Sequence, residues 1–308
     1  NNTVSTSAGD GASVVSERLW QVLYGDLPPA MPMALPLLDR YIGGWVECEQ
    51  TVMAAKTGKG KTHFGVFSHV DLARRGHACA YYSLEMYIDA ISIRFLSCIG
   101  QIDNQQLRFG FRPKLDLLTD PLTRQPMYPY RLESPDALWK ATKLAEEELR
   151  DLPIIIVAPK KDNSGRIAMP DFSPHGIRSS LFDLAEKKHV KHWILDNLQR
   201  VELPVYRDAA KLSNDLGETS MMLRKATIAT GTHMLCMVQP RKGVQGDMTH
   251  EDYGDSKKIA DNADNAFVID TVQGNKKGRV FRFSKYRNGE DLEIANISME
   301  GAIGWFTD

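Results

Sequence analysis

The chain has 308 residues, 43% hydrophobic and 25% charged, the profile of an ordinary globular protein with mass for one large domain or two small ones. Its 38 lysines and arginines face 39 acids, so no global positive charge advertises a nucleic-acid partner and any such binding has to be local. Cys48, Cys79, Cys98 and Cys236 are scattered with no C-x-x-C pair, which argues against a zinc knuckle or a disulfide framework and for a reducing compartment.

No apolar run approaches the roughly 20 residues that a bilayer span needs, and Asn1 to Asp10 lacks the charge and apolar core of a signal peptide. A soluble intracellular protein is expected, and the start on Asn1 rather than Met is compatible with a segment of something longer. The first ten residues read as a polar tail. Val15, Leu19, Val22 and Leu23 then recur at helical spacing, with Ser13 or Ser16 as the N-cap and Gly25 and Pro28-Pro29 as the stop. This amphipathic helix, Ser13 to Tyr24, packs either on its own domain or on a neighbouring subunit. Residues 1–30 therefore read as tail and linker helix, and 31–308 as the main domain.

Thr51 to Ala55 is an apolar strand that runs into a loop rich in glycine and lysine and then a helix from Lys61. A second strand, His77 to Ser83, precedes a helix carrying Ile88, Ile91, Phe95 and Leu96. Phe111 to Pro135 has no period and reads as a loop or insertion. Beyond it the pattern predicts a helix over Ala137 to Arg150, a strand over Pro153 to Ala158, a loop or hairpin over Asp162 to Ser173, and a helix over Pro174 to Lys188. Strands follow at His192 to Asp196, His233 to Val238, Ala266 to Asp270, Arg279 to Lys285 and Leu292 to Ser298, with a helix over Tyr206 to Ala229. The alternation predicts one α/β domain with a mostly parallel sheet that closes in antiparallel strands near the C-terminus.

Ala55-Lys56-Thr57-Gly58-Lys59-Gly60-Lys61-Thr62 fits the P-loop pattern G-x-x-x-x-G-K-[ST], with alanine at the first glycine position. Between a strand and a helix, such a loop wraps the backbone of Thr57, Gly58, Lys59 and Gly60 around phosphates. Lys61 then reaches the β and γ phosphates, and the Thr62 hydroxyl ligates magnesium. Asp196, at the end of an apolar strand, is placed as a Walker B carboxylate for the same metal. Glu85 also follows a strand. If that strand neighbours the P-loop strand, Glu85 faces the γ phosphate and can deprotonate the attacking water; taken alone it is a surface acid. The histidines show no H-E-x-x-H spacing, so His63 reads as a packing or surface group, and no G-x-S-x-G elbow suggests acyl chemistry.

These residues resemble the RecA-like motor domain of DnaB-type hexameric replicative helicases, including phage and mitochondrial relatives, over roughly Pro36 to Phe306. Ala54-Ala55 with Gly60-Lys61-Thr62 looks like that family's P-loop, and Ser83-Leu84-Glu85-Met86 matches its S-L-E-M motif, whose glutamate is the catalytic base. Ile194-Leu195-Asp196-Asn197-Leu198-Gln199 is similar to its I-D-Y-L-Q segment. Gly100-Gln101-Ile102-Asp103 and Leu107-Arg108 resemble the turn after its second helix. Gln239 matches its sensor glutamine, and Lys285-Tyr286-Arg287-Asn288-Gly289 its K-x-R-N-G motif. The resemblance implies a RecA-like P-loop core with helices on both faces of the sheet. It further implies an ATP- and Mg2+-dependent motor forming a ring, as a hexamer, on single-stranded DNA, with Lys285 and Arg287 acting on the neighbouring subunit's ATP. It implies the cytoplasm of a bacterial or phage-infected cell, and leaves any primase or loader open.

One departure falls in the DNA-binding loop. Where the family carries an acidic-L-R-E-S-G sequence, this chain has Asp252-Tyr253-Gly254-Asp255-Ser256-Lys257-Lys258, so Gly254 replaces the arginine. Lys257, Lys258, Arg241 and Lys242 are the candidates for supplying positive charge instead. The departure keeps a second reading open, a RecA-like ATPase that regulates or remodels without unwinding. A third, a small-molecule P-loop kinase, predicts an active monomer.

Overall fold

The computed structural model describes residues 7–24, 30–112, 119, 123, 128–162, 164–204, 209–240, 257–286 and 292–308. Helices are α1 (Ala8–Tyr24), α2 (Pro36–Ile42), α3 (Lys61–Arg74), α4 (Ile88–Gly100), α5 (Asn104–Phe109), α6 (Pro135–Asp151), α7 (Pro174–Lys188), α8 (Ala209–Thr230) and α9 (Lys257–Asn262). Strands are β1 (Gln50–Ala54), β2 (Cys79–Ser83), β3 (Ile154–Val157), β4 (Lys160–Lys161), β5 (Ile167–Ala168), β6 (His192–Asp196), β7 (His233–Val238), β8 (Asn265–Thr271), β9 (Gly278–Tyr286), β10 (Leu292–Glu300) and β11 (Trp305–Thr307).

Nine strands form one sheet in the order β11-β10-β9-β8-β1-β7-β6-β2-β3. From β8 through β3 every pairing is parallel, and β8-β9, β9-β10 and β10-β11 are antiparallel, as the sequence predicts. The central strands are buried on both faces, which is why they read as continuous apolar runs. Alternate side chains divide between two cores. Met53, Tyr81, Ile194 and Leu235 join α3, α4 and α6 on one face; Val52, Tyr82, Trp193 and Cys236 join α7, α8 and α9 on the other.

Three features differ from the sequence reading. Helix α1 begins at Ala8, within the stretch read as polar tail, because Ala8 and Ala12 continue its helical run. Its Val14, Val15, Leu19, Trp20, Leu23 and Tyr24 are all exposed. Second, the short elements α2, α5 and β11 lack enough residues to show a period; Pro36 opens α2 and the Asp103 side chain caps α5 by accepting from Gln105 and Gln106 main-chain N–H groups. Third, β2 does not neighbour the P-loop strand: β1 lies between β7 and β8, while β2 lies between β6 and β3. The stretch expected as a loop or hairpin over Asp162 to Ser173 belongs to a hairpin that starts earlier, β4 at Lys160–Lys161 pairing with β5.

Candidate nucleotide and metal site

The loop between β1 and α3 holds its shape through positive φ at Gly58 (80°) and Gly60 (105°), conformations that L side chains rarely adopt. A Cβ at Gly60 would stand 2.5 Å from the Met299 sulfur, so the loop lies directly on β10. Arg279, on β9 and only 3% exposed, pins the loop from below: its Nε donates to the Lys59 carbonyl at 3.0 Å. The same guanidinium donates through Nη1 to the carbonyls of Lys276, Lys277 and Gly278. The Lys59 side chain turns away toward Asp270, 3.3 Å off, so only its main chain follows the phosphate loop.

The loop forms one wall of a cleft of about 490 Å³ lined by Lys56, Thr57, Gly58, Gly60, Lys61, Thr62, His63, Glu85, Met86, Arg94, Asp196, Gln239, Met299 and Gly301. The S-L-E-M and Walker B segments and the end of β7 thus meet the P-loop at the C-terminal edge of the parallel strands, where open α/β sheets place ligands. Burial pulls the Lys61 ammonium below its ordinary pKa, opposed by the nearby carboxylates of Asp196 and Glu85.

Asp196 is the hub. Its Oδ2 accepts from the Thr62 hydroxyl and from the Tyr81 hydroxyl, both at 2.8 Å. Its Oδ1 is buried without a hydrogen-bond partner among the described residues. A buried carboxylate oxygen left open beside a threonine hydroxyl is a hard-oxygen pair that suits Mg2+, so the residues present fit that ion. Burial, first, and the Asp196 charge, second, drive the Tyr81 phenol far above its ordinary pKa, so it remains a hydrogen-bond donor.

Glu85 enters alongside Asp196. The Leu84 N–H donates to the Asp196 carbonyl at 2.8 Å, which ties the two motifs together although β2 is remote from β1. One Glu85 oxygen accepts from Asn197 Nδ2 at 2.9 Å and the other lies 3.5 Å from the Arg200 guanidinium. Gln239, at the end of β7, is fixed by its main chain: Gln199 Nε2 donates to its carbonyl at 3.0 Å and its N–H donates to Gln199 Oε1 at 3.2 Å.

Sequence reasoning missed Tyr81, Arg94, Arg279, Met299 and Gly301 as parts of this site. His63, read as a packing or surface group, lines the cleft with its Nε2 2.9 Å from Arg94 Nη1. Burial, then the cations Arg94 and Arg279, push its pKa down to about 4, so it is neutral at physiological pH. Lys285 does not line the cleft of its own chain; its ammonium donates to the carbonyls of Ala260 and Asp261. Arg287, Arg241, Lys242 and 252–256 lie outside the described residues, as does the side chain of Lys257, whereas Lys258 donates to Asn214 Oδ1 at 2.9 Å.

Residues 30–300 match the family model described as DnaB-like helicase C terminal domain. The chain belongs to that family. Among solved structures, this DnaB-like domain superposes on one described as an ATPase domain, with a TM-score of 0.78 and 17% identity over 99% of both chains. It also superposes on a DnaB-like replicative helicase described with its interactions with primase, at TM-score 0.77 and 18% identity over 98% of this chain and 68% of the other. At such identities the likeness shows the shared RecA-like fold. No curated protein matches the chain. The domain is thus a helicase-type ATPase motor built on a RecA-like core.

Proposed function

We propose that this DnaB-like domain hydrolyses ATP in a cleft completed by the next copy of itself, in a hexameric ring that translocates on single-stranded DNA and separates duplex strands. The convergence of Lys61, Thr62, Asp196, Glu85 and Gln239 on one cleft carries the reading. Asp196 Oδ1 and the Thr62 hydroxyl would hold Mg2+, which when bound would supply positive charge to offset that of the phosphates. The backbone of Thr57 to Gly60 cradles the phosphates and Lys61 adds a fixed positive charge. Glu85 takes the proton of the attacking water, and Gln239 senses the γ phosphate.

Lys285 and Arg287 act in trans, with Arg287 stabilising charge on the transferring phosphoryl group, a contribution of ~10³ to 10⁵ in rate. That Lys285 stands away from its own chain's cleft supports this division of labour. Helix α1, within residues 1–30, acts as the linker to the next subunit. Its exposed apolar residues match a cavity of about 490 Å³ between α4, α5 and the β4-β5 hairpin, lined by Tyr87, Ile88, Ala90, Ile93 and Ile167 among others. DNA binding rests on 241–258, where Lys257, Lys258, Arg241 and Lys242 supply charge.

A membrane is no part of this reading, and among the described residues no helix is long and apolar enough to cross one. The site of action is the cytoplasm of a bacterial or phage-infected cell. The related helicase described with its primase makes a primase the first protein partner to test. Assembled protein is expected to hydrolyse ATP faster with single-stranded DNA and to unwind a forked duplex. ATPase activity with neither property would favour a remodelling ATPase.

A further inference from the structure

The short turn after the Walker B strand, 197–200, carries three polar side chains, each of which contacts a residue that lines the cleft. Asn197, fully buried, holds one Glu85 oxygen at 2.9 Å; Arg200 faces the other at 3.5 Å; Gln199 between them is docked on Gln239. Both oxygens of the carboxylate are therefore engaged. The two partners differ in kind. Asn197 is anchored inside the protein and stands where the I-D-Y-L-Q pattern has tyrosine. The Arg200 side chain is 57% exposed and its pairing with a Glu85 that is 42% exposed is long and weak. The turn stands between the Walker B strand β6 and helix α8 in the chain.

We propose that Asn197 and Arg200 are opposed positioning residues for Glu85. Asn197 orients the carboxylate toward water, while Arg200 restrains its second oxygen until a DNA phosphate takes the guanidinium away. This rests on the reading of Glu85 as general base. A guanidinium binds a phosphodiester through the same paired N–H groups that it offers a carboxylate, so the exchange needs no new chemistry, and a partly exposed arginine is free to make it. The released oxygen is then the one able to accept the proton of water. The turn docks on Gln239 through Gln199, so the same movement also touches the residue read as the γ-phosphate sensor. DNA stimulation of hydrolysis would thus be the removal of a brake built into this turn.

The test is steady-state ATP hydrolysis by the assembled protein with Mg2+, with and without saturating oligo-dT. Arg200→Ala is expected to raise DNA-free kcat several-fold and bring the stimulation ratio close to one, while Arg200→Lys keeps most of the stimulation. Asn197→Ala is expected to lower kcat about tenfold in both conditions, with the KM for ATP little changed, a split expected of lost base orientation. An Arg200→Ala protein with an unchanged stimulation ratio, or with lower DNA-free activity, overturns the restraint. Glu85→Gln separates the two ideas. If it remains active, the general-base reading itself fails; if it is inactive while Arg200→Ala behaves as wild type, only the restraint fails.

Discussion

Strand β6 has a buried polar residue at each end, and the two ends are handled in opposite ways. At His192 the polar groups pack on one another, with one nitrogen of each of His69, His192 and His233 left without a hydrogen-bond partner among the described residues. The His192 Nδ1 lies 2.9 Å from His69 Nε2, its ring stacks on His233 at 5.0 Å, Trp45 covers His233 at 4.8 Å, and His233 Nε2 meets the Thr51 hydroxyl at 3.1 Å. About 13 Å along the strand, at Asp196, a carboxylate oxygen is left open and a second carboxylate, Glu85, is tethered from outside. The histidine end joins α3, β1, β6 and β7 without facing the cleft. It is a brace made of neutral rings packed away from the cleft, whereas the aspartate end holds an open carboxylate oxygen on the cleft wall. Since both ends of the strand carry buried polar atoms without partners, such an atom is a sign of function only where it borders a cleft, as at Asp196.

Substitutions that separate the two ends test that contrast. The largest effect is expected at the cleft: Lys61→Ala or Asp196→Asn should reduce ATP hydrolysis by ~10² or more in a steady-state assay, with the thermal midpoint nearly unchanged. Next comes acid sensitivity at the brace. Burial, with His192 as a neighbour, puts His69 well below 6.5; burial, with His233 and His77, does the same for His192; burial puts His233 at about 3. Below pH 6.5 the unfolded chain takes up protons that the folded chain refuses. The stability is therefore complete above about 6.5 and falls as pH drops toward the folded values, by up to ~1.4 kcal/mol per pH unit per histidine. Calorimetry between pH 7.5 and 4.5 should show this slope, shallower in His192→Asn and unaltered in Lys61→Ala.

A third, smaller effect is expected at Arg279. Arg279→Ala removes the guanidinium from the Lys59 and Lys276 carbonyls, a loss of about 2 kcal/mol, and should raise the KM for ATP several-fold. Smallest for the single chain is Leu19→Ser with Trp20→Ser on α1. Both residues are exposed, so the thermal midpoint should hold within a degree or two while the assembled particle dissociates in sedimentation.

The sequence carried the elements whose chemistry is local. The glycines and Lys61-Thr62 share one turn, Glu85 follows one apolar strand and Asp196 ends another, and β-strand runs buried on both faces read directly as parallel sheet. What it could not carry is partnership across the chain. Arg279 reaches Lys59 from a strand far along the sequence, and Tyr81 meets Asp196 only because β2 pairs with β6. That pairing also undid the simplest route for Glu85 into the cleft, since periodicity gives the face of a strand but not its neighbour. The short α2, α5 and β11 escaped because three to seven residues hold too few periods, and their cues are caps and tertiary contacts.

The central claim is a cleft completed by a second copy, and subunit mixing tests it most directly. Lys61→Ala and Arg287→Ala chains, each inactive alone, should regain ATP hydrolysis when mixed before assembly. The recovery should approach about a quarter of wild type if interfaces act independently, because that share pairs an intact P-loop with an intact arginine. A mixture as inactive as its components, in particles shown to contain both chains, would contradict the account.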